Sequence, residues 1–399
     1  MREGWRMASL GDVADTRLGK TLPRGSGAAL DGLPYLRNVN VRWNRIDLDR
    51  LNRMPFGADE QAELSLRKGD LLICEGGEVG RLTILGEDLE GVFFQNALHR
   101  VRVRNVDVMP EFVALSLEHF VRSGGLEGLV TQVTIAHLNQ AKLRALPLKL
   151  PPLSEQLRIV DLIGALDDTR AAAQAALSAS PYRQMLKALG DQYEPVRLDD
   201  VVDRAFAGGT PSRQVGSHFD GGIPWLKSGE VENDHIVDSA EHISDEAMRS
   251  SSARLVPSGA TVVAMYGQGD TKGRAGFVES PVTTNQAVLA LVPNVDRIHS
   301  RFLLHAVRSR TESLRSRAVG AAQPNLSKGL VLAETVPVPQ EMRDQRRWAD
   351  LLDAVRRVES DTEDEHLRLQ AARSSLLTAL LSGEHEIPES YDEFMGAAL

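Results

Sequence analysis

The chain has 399 residues, of which 42% are hydrophobic and 25% charged, and its formal net charge is -9. This length can form two or three ordinary domain cores, and the composition excludes a disordered or membrane-spanning chain. Because Cys74 is the single cysteine, an intramolecular disulfide and a cysteine-based zinc site are both excluded. A reducing cytoplasm fits this cysteine usage.

The N-terminal sequence and the charge distribution bear on secretion, membrane insertion and nucleic-acid binding. The opening MREGWRMASLGDVAD lacks an apolar stretch, so we expect no signal peptide, and no later run reaches the roughly 18 apolar residues of a membrane span. We therefore expect a cytoplasmic protein without a membrane partner. Net negative charge argues weakly against nucleic acid, but residues 340–399 hold 14 acidic and 7 basic residues, whereas residues 1–150 hold 19 acidic and 20 basic.

Pieces of the sequence recur at an offset of 188 to 190 positions, which indicates an internal duplication of a unit of about 190 residues. The recurring pairs are LGDVAD (10–15) with LDDVVD (198–203), LPYLRN (33–38) with IPWLKS (223–228), KGDLLIC (68–74) with SGATVVA (258–264), and SEQLR (154–158) with RDQRR (343–347).

Each copy begins with short β-branched runs separated by glycines, which predicts strands. A helix is predicted after them, at 109–122 and at 300–310, from apolar residues at helical spacing. The predicted strands are 70–74, 81–85 and 97–103 in the first copy, and 260–265, 275–278 and 287–292 in the second.

A proline-bounded segment and a long helix close each copy, and apolar residues recur three and four positions apart in both helices, as in a coiled-coil seam. We therefore predict an α+β fold: a tandem duplication of a strand-rich domain followed by a long helix, with the two helices pairing as an antiparallel coiled coil. Pro181 interrupts the first helical region. The predicted seams are Ile159, Leu162, Leu166, Arg170, Ala173 and Leu177, and Val355, Val358, Thr362, Glu365, Leu369, Ala372 and Leu376.

The stretch AMYGQGDTKGRAGF, at 264–277, invites comparison with a phosphate-binding loop. A P-loop has lysine directly after its second glycine and a hydroxyl residue next, but here Gly269 precedes Lys272 by three and Gly273 follows that lysine. We predict instead a tight turn between strands, in which glycines supply positive φ. The first copy has a twin, ICEGGEVGRLTIL.

Catalytic motifs are absent from the sequence. The [NDS]-P-P-[YFW] tetrapeptide of DNA amino-methyltransferases does not occur, since the only Pro-Pro is flanked as LPPL at 150–153. No H-E-x-x-H metal motif and no helicase P-loop is found either. We expect no catalytic residues, no metal site and no cofactor in this chain.

Several motifs together resemble the specificity subunit of type I restriction–modification systems. They are LPLKLPPLSEQLRIVDLIGALDD, IPWLKSGEV, VAMYGQGDTKGRAGF, TTNQAV, AAQPNLSKGL and LLTALLSGEHEIPESYDEF. The resemblance runs across nearly the whole chain in the same order. It implies two target-recognition domains that each read one half of a split, asymmetric site in double-stranded DNA.

The resemblance also implies two spacer helices that dock two methyltransferase subunits, to which restriction or translocase subunits add in some assemblies. S-adenosylmethionine, ATP and Mg would then be bound by partner subunits. The implied boundaries are 1–150 for the first recognition domain, 151–190 for the first spacer helix, 191–339 for the second domain, and 340–399 for the second helix with the C-terminal tail. An α-helix of some 23 residues spans one turn of DNA, roughly 34–36 Å.

Polar residues that follow predicted strands or lie on glycine turns are the candidate DNA contacts. For each, the alternative is a solvated surface side chain or a bond to a local turn backbone. An alternative function is a coiled-coil scaffold whose globular domains bind protein. The candidates are Arg37, Asn38, Asn40, Arg42, Arg81, Gln95, Asn96, Gln132 and Thr134 in the first copy, and Lys227, Ser228, Lys272, Arg274, Asn285, Gln286, Gln323 and Asn325 in the second.

Overall fold

The structure, a computed structural model, describes residues 2, 4–21, 32–127, 137–232, 235–267, 269–318 and 325–395. The chain divides into two compact units. The first unit contains residues 1–174 and 365–399, and the second contains residues 175–364. The finer boundaries given above for the domains and helices stay predictions.

The first unit contains strands β1 to β11 and helices α1 to α5, the last of which runs a few residues into the second unit. The strands are Arg6–Ser9, Ala14–Leu18, Leu33–Leu36, Val41–Arg42, Arg45–Ile46, Asn52–Met54, Leu71–Cys74, Leu82–Ile84, Phe93–Phe94, Leu98–Val103 and Pro147–Leu150. The helices are Leu10–Val13, Ala58–Glu63, Pro110–Arg122, Gln140–Arg144 and Leu153–Ala179.

The second unit repeats this order with strands β12 to β22 and helices α6 to α12. The strands are Pro195–Arg197, Val202–Ala207, Ile223–Leu226, His235–Ile236, His242–Ile243, Leu255–Val256, Thr261–Ala264, Ala275–Val278, Val282–Thr284, Val288–Pro293 and Thr335–Pro337. The helices are Pro181–Gln192, Leu198–Val201, Asp245–Ser250, Ser300–Arg308, Thr311–Ser316, Lys328–Leu332 and Met342–Ser382. The helix α12 continues into the first unit, where a short α13 follows it at Asp392–Met395.

The inner strands β7 and β18 of the two main sheets are buried on both faces. In the first unit the main sheet has the strand order β2-β10-β7-β8, and in the second it has the order β13-β21-β18-β19-β15. Alternate residues of β7 face different cores: Leu71 and Ile73 pack under α3, whereas Leu72 and Cys74 pack toward β3. Burial on both sides explains why this strand is a continuous apolar run instead of an alternating one.

The glycine stretch at 264–277 is a turn between antiparallel strands, as predicted. It joins β18 to β19, and Gly269 and Gly273 have φ of +56° and +79°. In the first copy Gly77 and Gly80 have φ of +77° and +81°. Because a strand, not a helix, follows the turn, this segment lacks the helix N-terminus that a phosphate-binding loop uses.

The long helices differ in continuity. The helix α12 runs unbroken for 41 residues, whereas α5 ends at Ala179 and α6 begins at Pro181. Between them Ser180 has φ of +39°. Proline lacks the N–H that would continue the α5 ladder, but it fits the first turn of a new helix. The interruption expected at Pro181 is therefore present.

Segments of the long helices pack together inside each unit. In the first unit Ile159 and Ile163 of α5 share a core with Leu377 of α12. In the second, Leu189 of α6 shares a core with Ala349 of α12. Coiled-coil pairing along the whole length of the helices stays a prediction.

The predicted seam of α12 is correct at alternate positions, since Val355, Thr362, Leu369 and Leu376 are half-buried. Val358 is 65% exposed, and Glu365 and Ala372 are exposed as well. Arg373 and Leu377 are buried instead. Because the charged Arg373, which has ion-pair partners, lies in the buried stripe, apolar periodicity alone misplaces the alternate seam positions by one residue. In α5 the predicted seam is correct, since Ile159 is buried and the other five positions are half-buried.

A buried glutamine in the first turn of α5 holds the strand-rich domain of the first unit to this helix. Gln156 is 1% exposed, and its Oε1 accepts a hydrogen bond from the Met109 N–H at 2.9 Å. Its Nε2 donates to the carbonyls of Asp107 at 2.9 Å and Pro151 at 3.0 Å. One amide therefore joins the start of α3, the loop before it and the end of β11.

Gln345 repeats this arrangement in the second unit. Its Oε1 accepts from the His299 N–H at 2.7 Å, and its Nε2 donates to the carbonyls of Arg297 at 3.1 Å and Pro339 at 2.9 Å. We call these two side chains the glutamine clamps. They occupy matching positions of the SEQLR and RDQRR repeat.

Replacing Gln345 by alanine should lower the free energy of unfolding by about 3 kcal/mol, because three buried backbone groups lose their partner and each costs about 1–3 kcal/mol when unsatisfied. Urea denaturation of the full chain measures this change. Gln370→Ala, at an exposed position of the same helix, is the matched control and should change stability by less than about 0.5 kcal/mol. Equal losses for the two variants would contradict the clamp.

Candidate nucleic-acid interface

Parallel strand pairs bring the candidate polar residues of each unit to one sheet edge. In the first unit β3 and β9 run parallel, and the Gln95 N–H donates to the Leu36 carbonyl at 3.0 Å. In the second unit β14 and β20 run parallel, and the Asn285 N–H donates to the Leu226 carbonyl at 2.9 Å. Because parallel strands end at the same edge, the residues after them are neighbours. These are Arg37, Asn38, Gln95 and Asn96 in one unit, and Lys227, Ser228, Asn285 and Gln286 in the other.

The glycine turn reaches this edge in both units, and so does the segment before the short helix α4 or α11. The same backbone hydrogen bonds hold both segments there in each unit. We call the resulting surface the polar edge of each unit. The bonds are Glu75 N–H to the Ala97 carbonyl at 3.0 Å and Leu138 N–H to the Glu75 carbonyl at 3.0 Å, and, in the second unit, Met265 N–H to the Ala287 carbonyl at 2.8 Å and Leu326 N–H to the Met265 carbonyl at 3.1 Å.

Arg81 ties the glycine turn of the first unit to the residues after β3. Its Nη2 donates to the Asn38 carbonyl at 2.8 Å, and its Nη1 contacts Glu78 at 2.9 Å. The carboxylate of Glu78 also accepts from the Trp43 indole, and that bond, followed by the bond from Arg81, lowers the pKa of Glu78. Arg81 is therefore a neutralised, positioned cation beside Asn38 and not a freely solvated one.

Two of the predicted contacts have structural roles. Asn40 is 3% exposed, its Oδ1 accepts from the Arg37 N–H at 3.0 Å, and its Nδ2 donates to the Asp47 carbonyl at 3.0 Å. The Oδ1 of Asn285 accepts from the Ala287 N–H at 3.0 Å. The amides of Asn40 and Asn285 therefore satisfy turn backbone.

Other candidates in the first unit differ in how accessible their polar groups are. Gln95 is half-buried, and its Oε1 is buried without a hydrogen-bond partner among the described residues. Asn96 donates to the Thr21 hydroxyl at 3.2 Å, and Arg42 is exposed. Asn38 is half-buried, with its carbonyl oriented toward Arg81.

In the second unit the ammonium group of Lys227 is held by a carboxylate. Its Nζ lies 2.6 Å from Glu241, whose other oxygen lies 2.7 Å from Arg213. Both bonds lower the pKa of Glu241, and the bond from Lys227 has the larger effect. A phosphate or base that binds Lys227 therefore competes with Glu241 or uses another N–H of the ammonium group.

Sequence reasoning missed Arg213. Its guanidinium lies over the rings of Phe219 at 4.6 Å and Trp225 at 5.5 Å. Trp225 is buried and donates to the Gly209 carbonyl at 2.9 Å, which makes it a packing residue. No local sequence motif predicts this stacking, because it depends on the tertiary positions of the two rings.

The remaining candidates differ in their surroundings. Lys272 is half-buried on the glycine turn, and its carbonyl accepts from Arg315 at 2.8 Å. The Arg274 side chain is half-buried and has no ion pair with another described residue. Gln286 is exposed and accepts from the Thr210 hydroxyl. Ser228 and Asn325 are half-buried, while Gln132, Thr134 and Gln323 lie outside the described residues.

The described residues contain neither a candidate metal site nor a candidate membrane-spanning helix. Across these residues, no group of three or more His, Cys, Asp or Glu side chains could hold a metal ion. Among the described helices, none combines the length and apolar character needed to cross a bilayer.

Comparison with known proteins identifies the family. The family model described as "Type I restriction modification DNA specificity domain" matches twice, at residues 2–178 and 190–369. The chain belongs to this type I specificity family. The two matches also correspond to the two copies of the duplicated sequence.

Named relatives agree with this assignment. The chain is 24% identical over 206 residues to the EcoR124I/EcoR124II specificity subunit of Escherichia coli, which covers 50% of each chain. It is 27% identical over 156 residues to the MjaIX specificity subunit of Methanocaldococcus jannaschii, covering 38% of this chain and 35% of that one. The matched region thus spans half the length of these relatives or less.

A solved structure shares the fold over nearly the full length. The S subunit of a type I restriction–modification system from M. genitalium superimposes with a TM-score of 0.61 at 15% identity, covering 94% of this chain and 96% of that one. A second, described in a study of complex assembly and conformational transition of the type I system, has a TM-score of 0.56 at 16% identity and covers 96% and 98%.

Proposed function

We propose that this chain is the sequence-specific DNA-recognition subunit of a type I restriction–modification complex and has no catalytic site of its own. Each strand-rich domain reads one half of a bipartite, asymmetric site, and the long helices dock two methyltransferase subunits. Restriction subunits add to that core in some assemblies. S-adenosylmethionine, ATP and Mg²⁺ bind in the partner subunits, and the complex works in the cytoplasm.

One observation carries this proposal: the polar edge occurs twice with the same backbone and different side chains. Arg37 and Asn38 after β3 correspond to Lys227 and Ser228 after β14. Asn96 after β9 corresponds to Gln286 after β20. A two-fold dimer of identical readers requires a palindrome, whereas two unlike readers match two unlike half-sites.

The side chains of the polar edges suit base and phosphate recognition. Arginine and lysine donate to guanine in the major groove, and asparagine and glutamine pair with adenine. Arg81, Lys272 and Arg274 lie on the glycine turns, where phosphate contacts would fix the position of the duplex without reading its sequence. The Glu241 carboxylate beside Lys227 raises the cost of non-specific binding, because it repels the DNA phosphates that approach this lysine.

The long helices expose apolar side chains that suit a protein partner. Such residues on a soluble helix mark interaction sites when they recur on one element. They are Leu153 and Leu157 of α5 and Leu351, Val358 and Leu367 of α12, all at least 40% exposed. The acidic balance of residues 340–399 also favours a protein over DNA there.

Replacing residues 191–339 with the corresponding domain of a related specificity subunit should change one half of the methylated motif and leave the other half unchanged. Sequencing of methylated bases in cells that express the hybrid with its methyltransferase measures this. The unmodified chain, expressed in parallel, is the control. Changes in both halves would contradict independent reading by the two domains.

Two substitutions in the second unit should have different signatures in the assembled complex. Arg274→Ala should weaken binding equally to cognate and unrelated DNA and reduce the salt slope by about one unit, as expected for a phosphate contact. Lys227→Ala should cost about 1–3 kcal/mol on the cognate site only and relax one position of its half-site.

Fluorescence anisotropy at several salt concentrations distinguishes these signatures. Arg343→Ala, at a highly exposed position in the first turn of α12, is the matched control and should leave both affinity and salt slope unchanged. A cognate-only loss for Arg274→Ala, or an equal loss on all sequences for Lys227→Ala, would reverse the two assignments.

A further inference from the structure

A cavity of about 650 Å³ lies within the second unit, between α6, the segment from α9 to α10, and α12. No step of the proposed recognition mechanism uses it. Its lining is rich in basic side chains: Arg183, Lys187, Arg308, Arg310, Arg315 and Arg356. Four acidic residues also line it, namely Asp191, Glu312, Glu359 and Glu363.

Arg308 is the buried cation of this cavity. The residue is 8% exposed, its Nε donates to the Ala275 carbonyl at 3.3 Å, and its Nη1 lies 3.5 Å from the Tyr182 hydroxyl. Its Nη2 is buried without a partner, and none of the described carboxylates forms an ion pair with it. Burying a guanidinium without a counter-charge costs free energy of folding, and a bound anion would reduce that cost.

Two of the four acidic lining residues already have other partners. Glu359 accepts from the Tyr182 N–H at 2.8 Å, and Glu363 lies 3.4 Å from Arg356. Their charge is therefore used at the start of α6 and along α12. Arg183 and Lys187 are exposed on α6, where they add positive charge to the mouth of the cavity.

At the corresponding position of the first unit, a buried ion-pair network compensates the charge. There, Arg373 donates to Glu118 at 3.0 Å and to Asp167 at 2.7 Å, which gives a compensated network. Both Glu118 and Arg373 are buried. A cation between two carboxylates leaves neither side chain unpaired.

The duplication relates Glu118 to Arg308. A Cβ on Gly69 would contact Pro110 at the start of α3, and a Cβ on Gly259 would contact Ser300 at the start of α9. This shared contact aligns the two helices.

The aligned positions have opposite charge. Glu118 in α3 corresponds to Arg308 in α9. Asp167 of α5 corresponds to Arg356 of α12, because each lies 11 residues after the glutamine clamp of its unit. The buried partner of Glu118 is Arg373, whereas that of Arg308 is the neutral Tyr182. The two positions that hold carboxylates in the first unit thus hold arginines in the second, of which Arg308 contacts a hydroxyl and Arg356 contacts Glu363.

We propose that this cavity binds a small phosphorylated molecule, with Arg308 as the main ligand to its phosphoryl oxygens and Arg183 and Lys187 at the mouth. A guanidinium can donate two parallel hydrogen bonds to a phosphoryl group. Because Arg308 is recessed, a rigid duplex cannot bring its backbone phosphates to it. The volume lies within the range of small-molecule sites and exceeds what one side chain of a partner protein would fill.

The direct test is binding of pyrophosphate to the full chain, measured by calorimetry and by thermal unfolding at constant ionic strength. Pyrophosphate should raise the unfolding temperature, because it binds the folded state only. Arg308→Met should lower its affinity about tenfold or more, the loss expected for a charge-assisted hydrogen bond. Arg204→Met, at an exposed position of the same unit, is the control and should bind as the unmodified chain does.

A second measurement separates a ligand site from a structural arginine. In buffer without multivalent anions, Arg308→Met should unfold at the same temperature as the unmodified chain or higher, because it removes an unpaired buried charge. Arg373→Met should unfold at a lower temperature, because it leaves Glu118 and Asp167 without their cation. If Arg308→Met does not fold, Arg183→Gln combined with Lys187→Gln should still reduce pyrophosphate affinity several-fold at an unchanged unfolding temperature.

Three outcomes would overturn the inference. The first is no effect of pyrophosphate on the unmodified chain. The second is binding that Arg308→Met leaves unchanged, which would place the site elsewhere. The third is no pyrophosphate binding together with loss of methyltransferase co-purification in Arg308→Met, which would assign the anion to a carboxylate of the partner protein.

Discussion

The glutamine clamps are the constraint on which the rest of each unit depends. Apolar burial holds a domain against a helix but does not fix its orientation, because the hydrophobic effect is non-directional. An amide with one acceptor and two donated bonds is directional. Gln156 and Gln345 each join the start of a helix, the loop before it and the end of a proline-bounded segment. A reader of two half-sites needs each domain in a defined orientation on its helix, and a fully satisfied buried amide provides it.

The polar edges follow from that fixed frame. Parallel pairs β3 with β9 and β14 with β20 bring two chain segments to one edge, and the glycine turn approaches from the neighbouring sheet. The cations there are positioned before any ligand arrives, since Arg81 is bonded to Asn38 and Lys227 to Glu241. Preorganised groups lose less conformational entropy on binding. The Glu241 carboxylate favours a ligand that forms a hydrogen bond with Lys227 over a phosphate that is only attracted to it, because the carboxylate repels phosphates.

Much of this architecture is readable in the sequence, because duplication, strand runs and glycine turns are local patterns. The predicted strands at 70–74 and 260–265 agree with Leu71–Cys74 and Thr261–Ala264. Alternate positions of the α12 seam were not predictable, because the buried stripe contains Arg373, whose burial depends on Glu118 and Asp167 far away in sequence. The structural role of Asn40 and the stacking of Arg213 likewise depend on tertiary contacts that no spacing reveals.

The central claim is that one chain reads two unlike half-sites through two copies of one edge. It is tested most directly by sequencing methylated bases in cells that produce this chain with the methyltransferase that co-purifies with it. The account predicts one bipartite motif, with two different specified segments separated by unspecified base pairs. A continuous motif, or a palindrome with identical halves, would contradict it.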